Sequence, residues 1–183
     1  MATTAATNNF VMRLIGAAAL DTAIYEEVEA DHTATGQALV VVLLSSLAAG
    51  IGARGLGGGS LQSIVFISIV ALMAWAAWAL LTFEIGARLM PEPQTRGDVG
   101  ELLRTIGFAS TPGLIRLLAV ITPIAIPVFA LSAVWMLAAM IVAVRQALDY
   151  RHTSRAIAVC VLGWALVVTM AVVLGLFFGP TLS

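Results

Sequence analysis

The most polar part of the sequence is the acidic run between Tyr25 and His32, and it holds the residues best suited to chemistry. Glu27 and Asp31 are four positions apart, so a helix places both carboxylates on one face. Two carboxylates beside a histidine are the start of a metal site, which needs at least three converging ligands. A solvated helix end explains the same pattern and is the interpretation we favour. The sequence therefore predicts no metal and no cofactor.

Recognisable catalytic motifs are missing from the sequence. It has two histidines and contains no serine-histidine-aspartate set, HExxH motif, P-loop or dinucleotide fingerprint. The single cysteine, Cys160, lies in an apolar run, where a thiol is buried and inert. We expect a protein that is not an enzyme.

Arginines in later polar segments are the predicted partners of the acidic run. Five acids lie between Asp21 and Asp31, whereas the later polar segments carry an excess of arginine. Exposed ion pairs contribute only about 0–1 kcal/mol each, so docking of the acidic segment also requires apolar burial. The candidate docking and partner-binding residues are Glu27, Asp31, Arg104, Arg145, Asp149 and Tyr150, with Arg151 as a further cation for the acidic run to contact.

Composition decides the environment in which these residues lie. Hydrophobic residues make up 61% of the chain and charged residues 10%, against about 45–50% and about 25% in soluble proteins. The mean hydropathy is +1.03. Ten acids and nine arginines are too few to cover a soluble surface of this size. The chain is therefore expected to contact the lipid bilayer, and the classes of soluble enzyme and nucleic-acid binder are excluded.

Apolar stretches predict an all-α bundle with five transmembrane helices in a single domain, residues 1–183. A span needs about 20 apolar residues, and the predicted spans are about 37–53, 61–83, 107–121, 128–144 and 156–178. The third and fourth share a 38-residue stretch with one charge, which we divide at Thr122–Pro127 because its prolines break a helix. Residues 10–32 predict one amphipathic helix at the cytoplasmic interface.

The distribution of arginine predicts the orientation of this bundle. With five spans, the N-terminal segment and the segments after the second and fourth spans lie on one side. They contain eight of the nine arginines, and Arg54 alone lies opposite. The positive-inside rule then places the N-terminus in the cytoplasm and the C-terminal Gly179–Ser183 outside. Because every basic residue is arginine, a bacterial cytoplasmic (inner) membrane is favoured.

Two intramembrane polar residues, Glu84 and Arg116, have open roles. A charge inside a membrane is by default a functional-site hypothesis. Arg116 has an alternative explanation, in which it reaches the nearby cytoplasmic interface or pairs with Glu84 or Asp149. The sequence favours this structural role over a transport role.

Polar segments that flank the spans carry a further pattern. They are Tyr25–Asp31 leading into Gly36–Ala38, Thr95–Ala109 followed by Pro112–Leu114, and Val144–Tyr150 before Arg155. Together, over roughly residues 10–175, they resemble the bacterial branch of the Yip1 family. The resemblance implies five spans with a cytosolic N-terminus and a lumenal C-terminus. Eukaryotic members act in vesicle trafficking and associate with prenylated Rab GTPases, but their Asp-Leu-Tyr-Gly-Pro motif is missing from this sequence.

Two functions of different classes follow from the sequence. The first is a non-enzymatic multi-pass protein of membrane organisation or trafficking-like roles, which forms a homo-oligomer or binds a lipid or an unidentified protein at its cytoplasmic face. The second is a small channel or transporter with a polar path past Arg116, Glu84 and Asp149. Ion flux in liposomes distinguishes the two.

Overall fold

The computed structural model describes residues 8–57, 60–93, 95 and 98–178, and the regular elements in these ranges are all helical. Three short 3-10 segments cover Ala53–Leu56, Thr111–Val120 and Thr122–Ile124, and a π-helical segment covers Glu84–Leu89. The α-helices are α1 (Phe10–Ala18), α2 (Thr22–Ala30), α3 (Ala34–Gly52), α4 (Leu61–Phe83), α5 (Val99–Ala109), α6 (Ala125–Ala147) and α7 (Thr153–Phe178).

Membrane insertion is supported by the length and surface of these helices. Among the described residues, three helical stretches are long and apolar enough to cross a membrane, namely Ala34–Leu56, Leu61–Leu89 and Thr122–Ala147. Large apolar side chains point outward along them, such as Phe66 (66% exposed) and Ile126 (74% exposed). A soluble protein rarely exposes apolar surface this continuous. The predicted all-α membrane protein is confirmed at this level.

Helix α3 lies at the centre of the bundle. Over the most apolar window of each candidate span, 56% of the α3 residues are buried, against 17% in α4 and 22% in α6. The buried positions of α3 are mostly small, as at Ala38, Ser45 and Ala49. Small residues let neighbouring backbones approach closely, which is how helices pack where no hydrophobic effect drives them together.

The predicted third helix over 107–121 is wrong as one α-helix. Helix α5 ends at Ala109, and after Ser110 the chain continues as a ten-residue 3-10 helix from Thr111 to Val120. Pro112 lies at the start of this segment, where its missing amide donor and fixed φ end the α-helical hydrogen bonding. The apolar composition that marks a span therefore does not fix the type of helix.

Helix α5 and the Thr111–Val120 segment together run alongside α3 from its start to its end. A Cβ atom at Gly107 would press on Ala38 near the start of α3. At the other end, Cβ atoms at Gly52 and Gly55 would collide with the backbone carbonyls of Arg116 and Ala119, so the contact requires glycine. A 3-10 helix rises about 2.0 Å per residue, so ten residues cover about 20 Å.

The predicted break before the fourth span is confirmed. Thr122–Ile124 forms a 3-10 turn containing Pro123, and α6 begins at Ala125 rather than at 128. Pro127 lies in the first turn of α6, where an amide hydrogen would have no intrahelical acceptor in any case.

Candidate functional site

The predicted amphipathic helix over 10–32 is wrong, because the chain reverses in the middle of it. Helix α1 ends at Ala18, and Leu20 takes a left-handed conformation with φ of 63°. The side chain of Asp21 then accepts a hydrogen bond from the amide of Ala23 and caps α2. We call α1 and α2 the N-terminal hairpin. An aspartate just before Thr22 is a helix-start signal that the sequence contained.

A buried arginine holds the two helices of the hairpin together. Arg13 is 2% exposed, and its Nη2 lies 2.9 Å from Oε1 of Glu27 and 2.6 Å from Oδ2 of Asp31. Its Nη1 donates to the side-chain oxygen of Gln37 at 3.0 Å, which links the hairpin to α3. The amide nitrogens of Asn8 donate to the same Glu27 carboxylate at 3.0 and 2.5 Å.

These contacts set the charge of both carboxylates. Hydrogen bonds from the Thr33 hydroxyl and from Arg13 lower the pKa of Asp31 to about 2. Partial burial acts to raise the pKa of Glu27, but hydrogen bonds from Asn8 and Arg13 outweigh it and lower this pKa. Both acids are therefore ionised at neutral pH.

The predicted pairing of Glu27 and Asp31 with later arginines is wrong. Their face of α2 turns back on α1, where Arg13 is the nearest base. Helix α2 does dock on a later helix, but the contact uses backbone carbonyls of α2 rather than the carboxylates of Glu27 and Asp31. Arg104 on α5 is 2% exposed, and its Nε donates to the carbonyls of Val28 and Glu29 at 3.1 Å. The last carbonyls of a helix are unpaired and carry partial negative charge, so they suit a guanidinium.

Tyr150 joins two polar segments at this end of the bundle. Its buried hydroxyl donates to the carbonyls of Gly86 at 2.8 Å and Met90 at 3.1 Å. Nearby, Nη1 of Arg155 donates to the carbonyls of Met90 and Pro91, and its Nε lies 3.4 Å from Glu92. The segments after α4 and α6 therefore lie together at the hairpin end, as the predicted topology requires.

A polar cleft opens between the N-terminal hairpin and the end of α6. It has a volume of about 490 Å³. Gln146 donates to Glu26 across one edge at 2.8 Å, and Glu101, on the opposite wall, accepts from the amide of Asp98 in the cap of α5. The polar side chains that line the cleft are Glu26, Glu29, Glu101, Arg145, Gln146, Asp149, Tyr150 and Arg151.

Among the described side chains that line this cleft, carboxylates outnumber arginines. Burial of the Glu29 carboxyl, reinforced by Glu101, Asp149 and Glu26, raises its pKa to about 7, although Arg104 acts in the opposite direction. Glu29 is therefore partly protonated at neutral pH. In the described part of the chain, no three His, Cys, Asp or Glu side chains lie close enough to hold a metal ion.

Sequence reasoning found part of this cleft and missed the rest. Arg145, Asp149 and Tyr150 line it as a group, whereas Glu27, Asp31 and Arg104 lie outside its lining. Glu26 and Glu29 were missed, although their three-residue spacing puts them on one face of α2. No sequence pattern identified Glu101 and Gln146 as cleft residues, because their place in the cleft depends on which helices pack together.

Glu84 and Arg116 occupy separate places. Glu84 pairs with Arg88 one turn further on, at 2.7 Å, and both side chains are well exposed. Arg116 has its backbone beside Gly52, at the end of α3 remote from the hairpin, so the predicted reach to the interface at the hairpin end is wrong. Among the described residues it makes no ion pair, and the predicted pair with Glu84 or Asp149 is not formed. Its nearest polar contact is Sδ of Met136 at 3.3 Å.

The bundle defines an all-helical membrane protein with a polar cap at one end. Residues 22–175 match the family model of the Yip1 domain, and because this covers most of the chain, the protein belongs to the Yip1 family. No curated protein and no solved structure matches the chain. The resemblance stated from the polar segments is confirmed.

Proposed function

We propose that the chain is a non-enzymatic, multi-pass protein of the bacterial cytoplasmic membrane that acts in membrane organisation by binding a protein partner at the polar cleft. The acidic side chains of α2 and α5 at this cleft carry the proposal. Glu26, Glu29 and Glu101 line it, and a lysine or arginine of a partner is complementary to them. Opposite charges across an interface favour encounter and fix its register.

The proposed topology has five passes with the hairpin end in the cytoplasm. Helix α7 has 26 residues, enough for a span, and α5 together with the Thr111–Val120 segment follows α3 along its length. Of the described arginines, Arg54 belongs to the opposite end and Arg116 lies toward it. The hairpin end carries Arg13, Arg88, Arg104, Arg145, Arg151 and Arg155. Arg96 and the C-terminal Gly179–Ser183 are outside the described residues.

Site-directed photo-crosslinking tests partner binding. A benzophenone amino acid replaces the exposed Arg151 at the cleft or, as a control, the exposed Arg54 at the other end. We expect a discrete adduct from position 151 alone, with a yield that falls in Glu26→Gln and Glu29→Gln but not in Glu84→Gln. An adduct of twice the chain mass identifies a homo-oligomer. No adduct at position 151, or equal adducts at both positions, contradicts the proposal.

A small channel or transporter is the alternative, with a polar path past Arg116, Glu84 and Asp149. The cavity that Arg116 lines includes neither carboxylate, so this path has less support. Ion flux from the purified protein in liposomes tests it, and flux well above that of empty liposomes favours the alternative.

A further inference from the structure

A second cavity lies within the membrane-spanning part of the bundle. It has a volume of about 450 Å³ and lies between α4, α6, α7 and the Thr111–Val120 segment. Val134 (69% exposed) and Trp164 (59% exposed) lie at its rim on the apolar outer surface. The cavity therefore opens sideways toward the bilayer rather than toward water.

Three nitrogen donors on residues that line this cavity have no acceptor among the described residues. They are Nε of Arg116 and the indole nitrogens of Trp75 and Trp78, all fully buried as atoms. Trp78 is 5% exposed as a whole residue. A buried polar group without a partner is costly, and more so in a membrane, where water does not reach it. Acceptor oxygens of a ligand in this cavity would satisfy such donors.

The chemistry of the lining is asymmetric. At one end, Arg116 and Trp75 also line a small adjoining pocket with Ser45, Ser46 and Ser110. The rest of the cavity is lined by apolar groups such as Leu137, Met140 and Val167, and its described lining contains no acidic side chain. This pattern matches a ligand with an anionic head and a hydrocarbon tail.

The depth of Arg116 selects among anionic amphiphiles. Its guanidinium contacts Met136, the twelfth of the 23 residues of α6, which is about 16 Å from the helix start at 1.5 Å per residue. A phospholipid headgroup stays in the interface and does not reach this depth. A pocket of this volume is in the lower part of the usual small-ligand range, about 300–1,000 Å³, and suits one chain rather than two.

We propose that this cavity binds one long-chain fatty acid, with its carboxylate on Arg116 and the indole nitrogen of Trp75 and its alkyl chain between α4, α6 and α7. A guanidinium and a carboxylate form a charge-assisted, bidentate pair. The cavity shares no residue with the polar cleft, so this proposal does not depend on the proposed function.

Native mass spectrometry of the full chain in detergent micelles tests the proposal. The probes are oleate, oleyl alcohol, dioleoylphosphatidylglycerol and acetate. We expect a saturable adduct of one oleate per chain, with oleyl alcohol at least tenfold weaker and no binding of acetate. Equal binding of oleyl alcohol overturns the role of the charge. A phosphatidylglycerol adduct that displaces oleate overturns the choice of fatty acid.

Variants locate the site. Arg116→Gln should weaken oleate binding at least tenfold, Arg116→Lys should weaken it less, and Arg54→Gln, an exposed arginine toward the same end, should leave it unchanged. Val134→Trp narrows the exposed mouth without altering the buried packing and should also reduce binding, which keeps the test valid if Arg116→Gln does not fold. Unchanged oleate binding in either Arg116→Gln or Val134→Trp overturns the proposal.

Discussion

Nη2 of Arg13 lies 2.6 Å from the carboxylate of Asp31, 18 positions further along the chain. The two residues meet because the backbone reverses at Leu20 and lays α1 against α2. The carboxylates of this cluster are about one-fifth exposed, while the arginine is almost fully buried. The pair therefore fixes the hairpin from inside, and the hairpin in turn forms one wall of the polar cleft.

Removal of Arg13 should loosen the hairpin and leave the spans intact. Arg13→Gln leaves Glu27 and Asp31 without their cation, and loss of a hydrogen bond to a charged group costs about 1.5–3 kcal/mol. Hydrogen exchange should show faster exchange of the amides of residues 10–30 and little change in α3 and α4. Arg151→Gln, an exposed arginine at the same end, serves as the control. Unchanged exchange in Arg13→Gln would contradict the structural role of the pair.

Acidification should release the hairpin. The folded pKa of Asp31, about 2, lies below its ordinary value of 3.8, so its stabilising contribution is complete above about pH 4. This contribution is lost as pH falls from about 4 through 2. Limited proteolysis between residues 18 and 33 should therefore accelerate over this range. The Asp31→Asn variant should be cleaved rapidly at neutral pH, and its cleavage rate should not rise further between pH 4 and 2. A rise identical to that of the wild type would refute the role of Asp31 in this pH dependence.

Glu29 should make stability depend on pH in the opposite direction, so that the protein is less stable at high pH. Its folded pKa of about 7 exceeds the ordinary 4.5, so its contribution to stability is greatest below about pH 4.5 and is lost as pH rises through 7. Glu29→Gln should thus unfold at a higher temperature than wild type at pH 8 and at a similar temperature at pH 5. Thermal unfolding in detergent measures both. An equal change in unfolding temperature at the two pH values would show that the surroundings of the Glu29 carboxyl do not raise its pKa.

Loss of the Tyr150 hydroxyl should separate the segments after α4 and α6. Tyr150→Phe leaves the carbonyls of Gly86 and Met90 without this donor, which corresponds to about 1–3 kcal/mol for a buried group. Exchange of the amides of residues 86–90 and of Glu92 should increase. Tyr25→Phe is the matched variant, because the Tyr25 hydroxyl donates to the Ala17 carbonyl within the hairpin. Faster exchange of the amides of residues 86–90 and of Glu92 in both variants would argue for a nonspecific effect.

Cysteine labelling should establish the orientation. In a Cys160→Ala background, Arg54→Cys should react with an impermeant maleimide in intact cells, and Arg151→Cys should react only after permeabilisation. Both positions are exposed and lie outside the α-helices. Labelling of position 151 from outside would invert the proposed topology.

Local composition determined the class of this protein. Twenty apolar residues in a row mark a span wherever they pack, so the second span was predicted with the bounds that α4 has, Leu61–Phe83. Proline interrupts a helix through its own fixed φ and missing amide hydrogen, so the break at Thr122–Pro127 could also be predicted from the sequence. The four-residue spacing of Glu27 and Asp31 placed them on one face, and they do share a partner.

Tertiary structure decided which groups meet. The reversal at Leu20 depends on a left-handed residue that is not glycine, and it places Arg13 at the buried centre of the hairpin. The elevated pKa of Glu29 arises from burial and from carboxylates on α2, α5 and the turn after α6, which no sequence spacing relates. Arg116 lies toward the remote end of α3 because glycines let the two backbones touch. Pairings between distant segments depend on how helices approach, and a periodicity within one helix carries no information about its neighbour.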